Sequence, residues 1–384
     1  MLTVTRSQAP YGSTVSTRGL TPRSLLWCLA ALTTLWQAAP ALAQGTVTWT
    51  GDGANGGWST AANWAGGSAP SSSTLFNYVM QGTTRLTSTN SASNRQAASI
   101  VFQSGAGAFN ISGGSFALLG PISNLSTATQ TITSSIITGA VRTVNTGSAT
   151  IVFGGVITGV GGGFNVTGGG TAVFNAQNTY TGTTVVASGA TVTGTGRLPR
   201  LEVQSGGTVT PGNGTPGSYG LLTTGTAGST GGLVIASGTG ATVALGISGT
   251  TRGITYDAFN LLGTSNQLGG KLDISFDNDT LYGLGTTFNL FAMSGTNTGD
   301  FGAVTVAGGK YAGLTFSGPV NGVWTSTTNT EGQFLSFSEI TGDLVVVPEP
   351  TAGMIALVGV GLVGLNRFRR RTGGKPTTIR TAVV

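Results

Sequence analysis

The feature that most constrains this chain is a short string that returns. Ser188-Gly189-Ala190-Thr191-Val192-Thr193-Gly194 recurs seventeen residues later as Ser205-Gly206-Gly207-Thr208-Val209-Thr210-Pro211, and Val152-Phe153 recurs twenty-one residues later as Val173-Phe174. A spacing of about 20 residues suits one turn of a coil. Strands of such a coil pair with the turns above and below, about 4.8 Å away, so like side chains stack in register. This internal similarity favours a solenoid over a sandwich.

Composition supports that reading. Glycine supplies 66 of 384 residues and only 7% are charged, so the chain is written in short β-branched and aromatic runs punctuated by Gly, Asn, Ser and Thr. Ser99-Ile100-Val101-Phe102, Ala149-Thr150-Ile151-Val152-Phe153, Thr183-Thr184-Val185-Val186 and Leu201-Glu202-Val203 are examples. This is strand and turn chemistry, and residues 44–347 carry no amphipathic helical stretch. At roughly 20 to 25 residues per turn, that body would hold on the order of a dozen turns and run about 60 Å. The expected fold class is all-β, a parallel β-helix.

The two ends read differently from the body. Arg18 and Arg23 precede the apolar Leu25–Leu32 segment, and Ala41-Leu42-Ala43 supplies the small-x-small pattern that a signal peptidase needs. A signal peptide over residues 1–43 is therefore expected, with the mature chain starting at Gln44; the long lead of residues 1–17 suggests that translation starts downstream of Met1. The only cysteine, Cys28, falls within this segment, so the exported body would have neither thiol nor disulfide and must be held by burial and backbone pairing.

At the other end stand Val347, Pro348, Glu349 and Pro350, an apolar run from Met354 to Leu365, and then Arg367, Arg369, Arg370 and Arg371. The two prolines cannot donate backbone hydrogen bonds and favour an extended, accessible frame. Arginines just past an apolar helix stay on the cytoplasmic side. This order resembles the PEP-CTERM sorting signal of Gram-negative bacteria. The resemblance implies an exosortase-type sorting protease as partner and a C-terminal transmembrane helix held transiently in the inner membrane. It also implies release to the cell surface or extracellular matrix, in association with exopolysaccharide. The chain departs from the family in continuing past its arginines, through Thr372 to Val384. A permanent anchor over residues 351–371 is the other reading, although an apolar core shorter than the roughly 20 residues of a spanning helix favours a transient span.

Gly170-Thr171-Ala172-Val173-Phe174, followed by Asn178-Thr179-Tyr180-Thr181-Gly182, is similar to the autotransporter-associated β-strand repeat. That resemblance implies a right-handed β-helix of passenger type. Within it, Asn178 is expected to bond its own turn and Gly182 to take a positive φ. Looser echoes, Tyr256–Gly263, Leu268–Ile274 and Gly299–Phe301, resemble the terminal turns of such passengers. The expected organisation is a signal helix (1–43), a Trp-rich N-terminal cap with first turns (44–98), β-helix (99–249) including the repeat at 168–194, further turns (250–346), the sorting signal (347–371) and a basic tail (372–384).

Charge and residue types then limit the chemistry. Residues 44–347 hold eight Lys or Arg against ten carboxylates, so the positive excess belongs to the ends and no basic patch remains for nucleic acid. The absence of histidine removes the usual general base and the commonest zinc ligand. No cofactor and no metal is expected, and the body reads as non-catalytic. The Gly-x-Gly-x-x-Gly hits at Gly51, Gly53, Gly56 and at Gly359, Gly361, Gly364 lack the following helix or lie in the apolar run.

Three local features remain. Trp49, Trp58 and Trp64, with Asn63, form either a sugar-stacking platform or a cap over the first turn. Asp277 and Asp279 would share a strand face at roughly 7 Å, as in inverting glycosidases. However, Asp277-Asn278-Asp279 more naturally forms the turn that ends the preceding strand. Asp273, Asp277, Asn278 and Asp279 could offer oxygens to calcium but lack the glycine-rich nonapeptide. The function expected is a structural surface or matrix protein, the rivals being a carbohydrate-binding or adhesive module and a polysaccharide lyase or hydrolase.

Overall fold

The computed structural model describes residues 45–212 and 217–349. The expected signal peptide, Pro350, the apolar run, the four arginines and the basic tail lie outside the described residues. Among the described residues no helix is long and apolar enough to cross a membrane.

The described chain is nearly all strand, and most of its pairing is parallel. A fourteen-stranded sheet runs from Gly45–Trp49 to Thr296–Thr298, a ten-stranded sheet from Thr87–Asn90 to Ala303–Ala307, and a four-stranded sheet from Arg197–Leu198 to Phe291–Met293. Successive circuits contribute one strand to each face in turn, as when Thr184–Val186, Thr191–Gly194 and Arg197–Leu198 are followed by Leu201–Val203, Thr208–Pro211 and Leu221–Thr224. This pairing is compatible with a β-helix-like solenoid. The recurring strings are the register itself: Val192 opposes Val209, Thr193 opposes Thr210, and Phe153 opposes Phe174. The Phe153 and Phe174 rings consequently stack at 4.9 Å, about one rung apart.

Alternation decides which side chains enter the core. In Thr242–Ile247 and Lys271–Phe276 every second residue is buried, placing Val243, Leu245 and Ile247 inward alongside Leu272, Ile274 and Phe276. Polar groups inside the coil bond between circuits. The buried Asn178 accepts the Ile157 N–H at 2.9 Å and donates to the Arg197 carbonyl at 2.9 Å, so it ties three circuits together instead of closing its own turn. Nor does Gly182 adopt the expected positive φ. It is required by close approach, since a Cβ there would lie 2.3 Å from the Gly162 carbonyl oxygen.

The coil ends sooner than expected. Parallel pairing stops at Ala303–Ala307, and residues that were expected to continue as turns up to 346 instead form an antiparallel sheet. Its strands are Thr287–Asn289, Phe316–Val320, Val323–Ser326, Gln333–Ser338 and Asp343–Pro348. Hairpin-sized connections after Val320 and Ser338 leave no length for a full circuit. Leu335, Phe337, Leu344 and Val346 are fully buried, and Phe337 meets Phe291 and Phe301 of the last rungs at about 6 Å.

Candidate functional site

The tryptophans come together, but with their faces covered. Trp49, Trp58 and Trp64 are almost wholly buried. Trp64 stands edge-on to Trp49 at 5.1 Å and to Trp58 at 5.2 Å, while Trp58 lies 4.7 Å from Tyr78 and under the Arg95 guanidinium. Asn63 accepts the Gly53 N–H and donates to the Asn55 and Gly57 carbonyls, so its polar atoms are spent within the loop. A sugar would find no open ring face here, because burying these apolar surfaces against one another is the stronger drive. The proposed glycan contact at Trp49, Trp58 and Trp64 therefore lacks the exposure it requires.

The carboxylates tell a different story. Three circuits have long connections after their strands in the ten-stranded sheet, those following Thr208–Pro211, Thr242–Ile247 and Lys271–Phe276, and described residues of all three line one groove. The connections bring Tyr219 and Asp277 to the rim of this groove of about 320 Å³, with Asp257 buried in its wall. Outward-facing residues of the sheet form its floor, chiefly Ala244, Gly246, Ser275 and Ala307, which are small enough to leave the space open. Gly246 is the pivot: a methyl group there would lie 2.8 Å from Asp277 Oδ2 and 3.5 Å from Asp257 Oδ2.

Asp257 is buried, and both its oxygens are held by backbone. Gly220 N–H donates to Oδ1 at 2.8 Å and Gly246 N–H donates to Oδ2 at 2.9 Å. Burial pushes its carboxyl up to about 7 against the pull of those two donors, and the nearby Asp277 charge adds to the rise. Asp277 is exposed and accepts the Tyr219 hydroxyl at 2.9 Å as well as the Ser275 hydroxyl. Partial burial, followed by the neighbouring carboxylates, raises the Tyr219 phenol despite a bond to Ser248.

Asp277 thus pairs with Asp257 across circuits and not with Asp279, which lies exposed in the turn that closes its strand. The four oxygens considered for calcium also diverge. Asp273 accepts Lys271 Nζ at 2.9 Å and the Thr305 hydroxyl at 2.6 Å, while the Asn278 amide bonds the Ser248 carbonyl and the Thr280 N–H.

No protein-family model, curated protein or solved structure matches this chain. Function must therefore be argued from the groove and the ladder.

The described part of the sorting motif is joined to the terminal sheet. Val347 and Pro348 end the last strand opposite Phe334 and Gln333, and the exposed Glu349 donates its N–H to Gly332 at 2.9 Å.

Sequence reasoning singled out Asp277 but missed Asp257 and Tyr219. Tyr219 lies in a Gly-, Thr- and Ser-rich stretch with no local motif, and Asp257 lies in the Tyr256–Gly263 string, whose resemblance to a terminal turn carries no chemical role for it. The available signal was the length of sequence between successive Thr-Val strands, which marks loops projecting from a coil.

Proposed function

We propose that this chain is an exported, non-catalytic structural protein of the cell surface or extracellular matrix that associates with exopolysaccharide. In this reading it is a right-handed β-helix with a Trp-rich N-terminal cap. A PEP-CTERM signal at Val347–Pro350, followed by the stop-transfer arginines, hands it to an exosortase-type protease. The observation that carries the proposal is the ten-strand parallel ladder from Thr87–Asn90 to Ala303–Ala307, in register across its length and followed by the terminal sheet. A ladder in which every inner strand is paired on both edges is rigid and leaves few backbone groups open to proteases. The buried tryptophans support the cap over the sugar platform.

Glycan contact is better served by the groove. Its floor, which includes Ser275, and the Tyr219, Asp273 and Asp277 side chains around it offer hydroxyl and carboxylate partners to a polyhydroxylated chain. A second reading, glycoside hydrolysis, rests on Asp257 and Asp277 flanking Gly246. It is the weaker of the two, because both Asp257 oxygens already serve backbone donors.

The deciding experiment incubates the full chain with the producing cell's own extracellular polysaccharide and follows both retention and polymer length. Retention without shortening, weakened by Asp277→Asn, is the expected result. Shortening that disappears in Asp257→Asn would replace the structural reading with the hydrolytic one. Absence of both effects would remove the polysaccharide association.

A further inference from the structure

Glu339 is 4% exposed, and its two oxygens are treated differently by the fold. Oε1 accepts the Phe301 N–H at 2.8 Å and the Trp324 indole N–H at 2.9 Å. Oε2 is buried and has no hydrogen-bond partner. Leaving a buried carboxylate oxygen unmatched is costly, on the order of 1–3 kcal/mol or more for a charged group. Burial raises the Glu339 carboxyl above its usual range, and the charge of a second acceptor, the exposed carboxyl of Asp300 that lines the same recess, adds to the rise. The two acids line one recess of about 360 Å³, together with Leu268, Thr296, Asn297 and Gly299.

Two acceptor-only groups face one another stably only when something positive lies between them. A shared proton is one solution and a cation is the other. The wall favours a cation of a particular kind. It offers two carboxylates and the Thr296 hydroxyl, an all-oxygen set of the kind a hard divalent ion takes, while the Asn297 amide oxygen already accepts from the Asn266 amide at 3.3 Å. One carboxylate is anchored by two donors and the other is exposed, so the mouth leaves room for the water ligands that calcium retains.

We propose that Glu339 and Asp300 form a divalent-cation site, best suited to Ca²⁺, that staples the last parallel rungs to the antiparallel sheet. Asp300 follows Thr296–Thr298 at the end of the fourteen-stranded sheet, whereas Glu339 follows Gln333–Ser338 in the terminal sheet. The ion would neutralise the carboxylates where the two sheet systems meet, and would stabilise the end of the coil.

The test is thermal unfolding of the full chain in a chelator and in millimolar CaCl₂. Saturating Ca²⁺ is expected to raise the wild-type midpoint by about 5 °C. Asp300→Asn, a change at an exposed position, should fold normally and lose this increment. Trp324 touches Glu339 directly, so Tb³⁺ bound at the site should luminesce on tryptophan excitation in the wild type and lose most of that emission in Asp300→Asn. Equal midpoints with and without Ca²⁺, or a Ca²⁺ increment and Tb³⁺ emission that survive in Asp300→Asn, would overturn the proposal and leave the pair as a shared-proton contact.

Discussion

At the scale of single residues, Asp257 has the clearest consequence. Its carboxyl titrates near 7 in the fold, raised chiefly by burial, against about 4 in an unfolded chain. Below about pH 4 both states hold the proton, so the group adds no slope. Between about 4 and 7 the unfolded chain ionises first, so native stability falls as pH rises; above 7 both states are ionised and the contribution is level. At about 1.4 kcal/mol per unit, the fall amounts to a few kcal/mol. Melting followed from pH 4 to 8 should show this decline in the wild type and a flatter profile in Asp257→Asn. In Asp277→Asn the loss of the neighbouring charge should lower the folded-state pKa, so the decline should begin at the same pH, end at a lower one and be smaller. A wild-type midpoint that rises through this window would contradict the assignment. Little of this was readable beforehand. Asp257 is held by the Gly246 N–H from the preceding strand of its own circuit and by the Gly220 N–H from the circuit before, and outward-facing Ala244 and Gly246 mark a groove floor only once their neighbours in the sheet are known.

At the scale of elements, the sequence announced the ladder because a repeat offset and a strand register are the same quantity. The seventeen-residue recurrence set Val192 over Val209, and alternation then sorted inside from outside. The parts it misjudged are those where a neighbouring circuit supplies the constraint, as at Asn178 and Gly182. Gly182 allows a sharp check. A methyl group there would press to 2.3 Å on the Gly162 carbonyl, whereas at Gly169 the nearest atom would be the Gly147 oxygen at an ordinary 3.7 Å. Neither glycine has a positive φ, so steric approach is the variable that separates them. Gly182→Ala should cost about 1–3 kcal/mol by overpacking, while Gly169→Ala should be neutral or slightly stabilising. Urea midpoints of the two variants measure the difference, and equal midpoints would show that the circuits separate more easily than the ladder suggests.

For the whole molecule, the central question is whether stability is carried by contacts between adjacent circuits. In a stacked coil each circuit meets only the one above and the one below, so removing a complete circuit leaves one interface fewer and creates no misfit. The register specifies the cut. Ser188–Gln204 is one repeat, and its removal would bring Ser205–Pro211 to the place of Ser188–Gly194, with Thr208 now opposing Thr171 and Val209 opposing Ala172. Leu233–Ile235 would take over the pairing of Leu201–Val203 with Thr184–Val186. The shortened chain should keep its β-sheet circular dichroism, unfold in a cooperative transition and be about 4.8 Å shorter along the coil by solution scattering. Deleting only the first half of the same segment removes as much core or less, yet every later strand would arrive at the wrong face and half of the alternating positions would turn outward. That variant should fail to fold. If instead the half-circuit deletion folds as well as the full one, the stacked register would not be what specifies this structure.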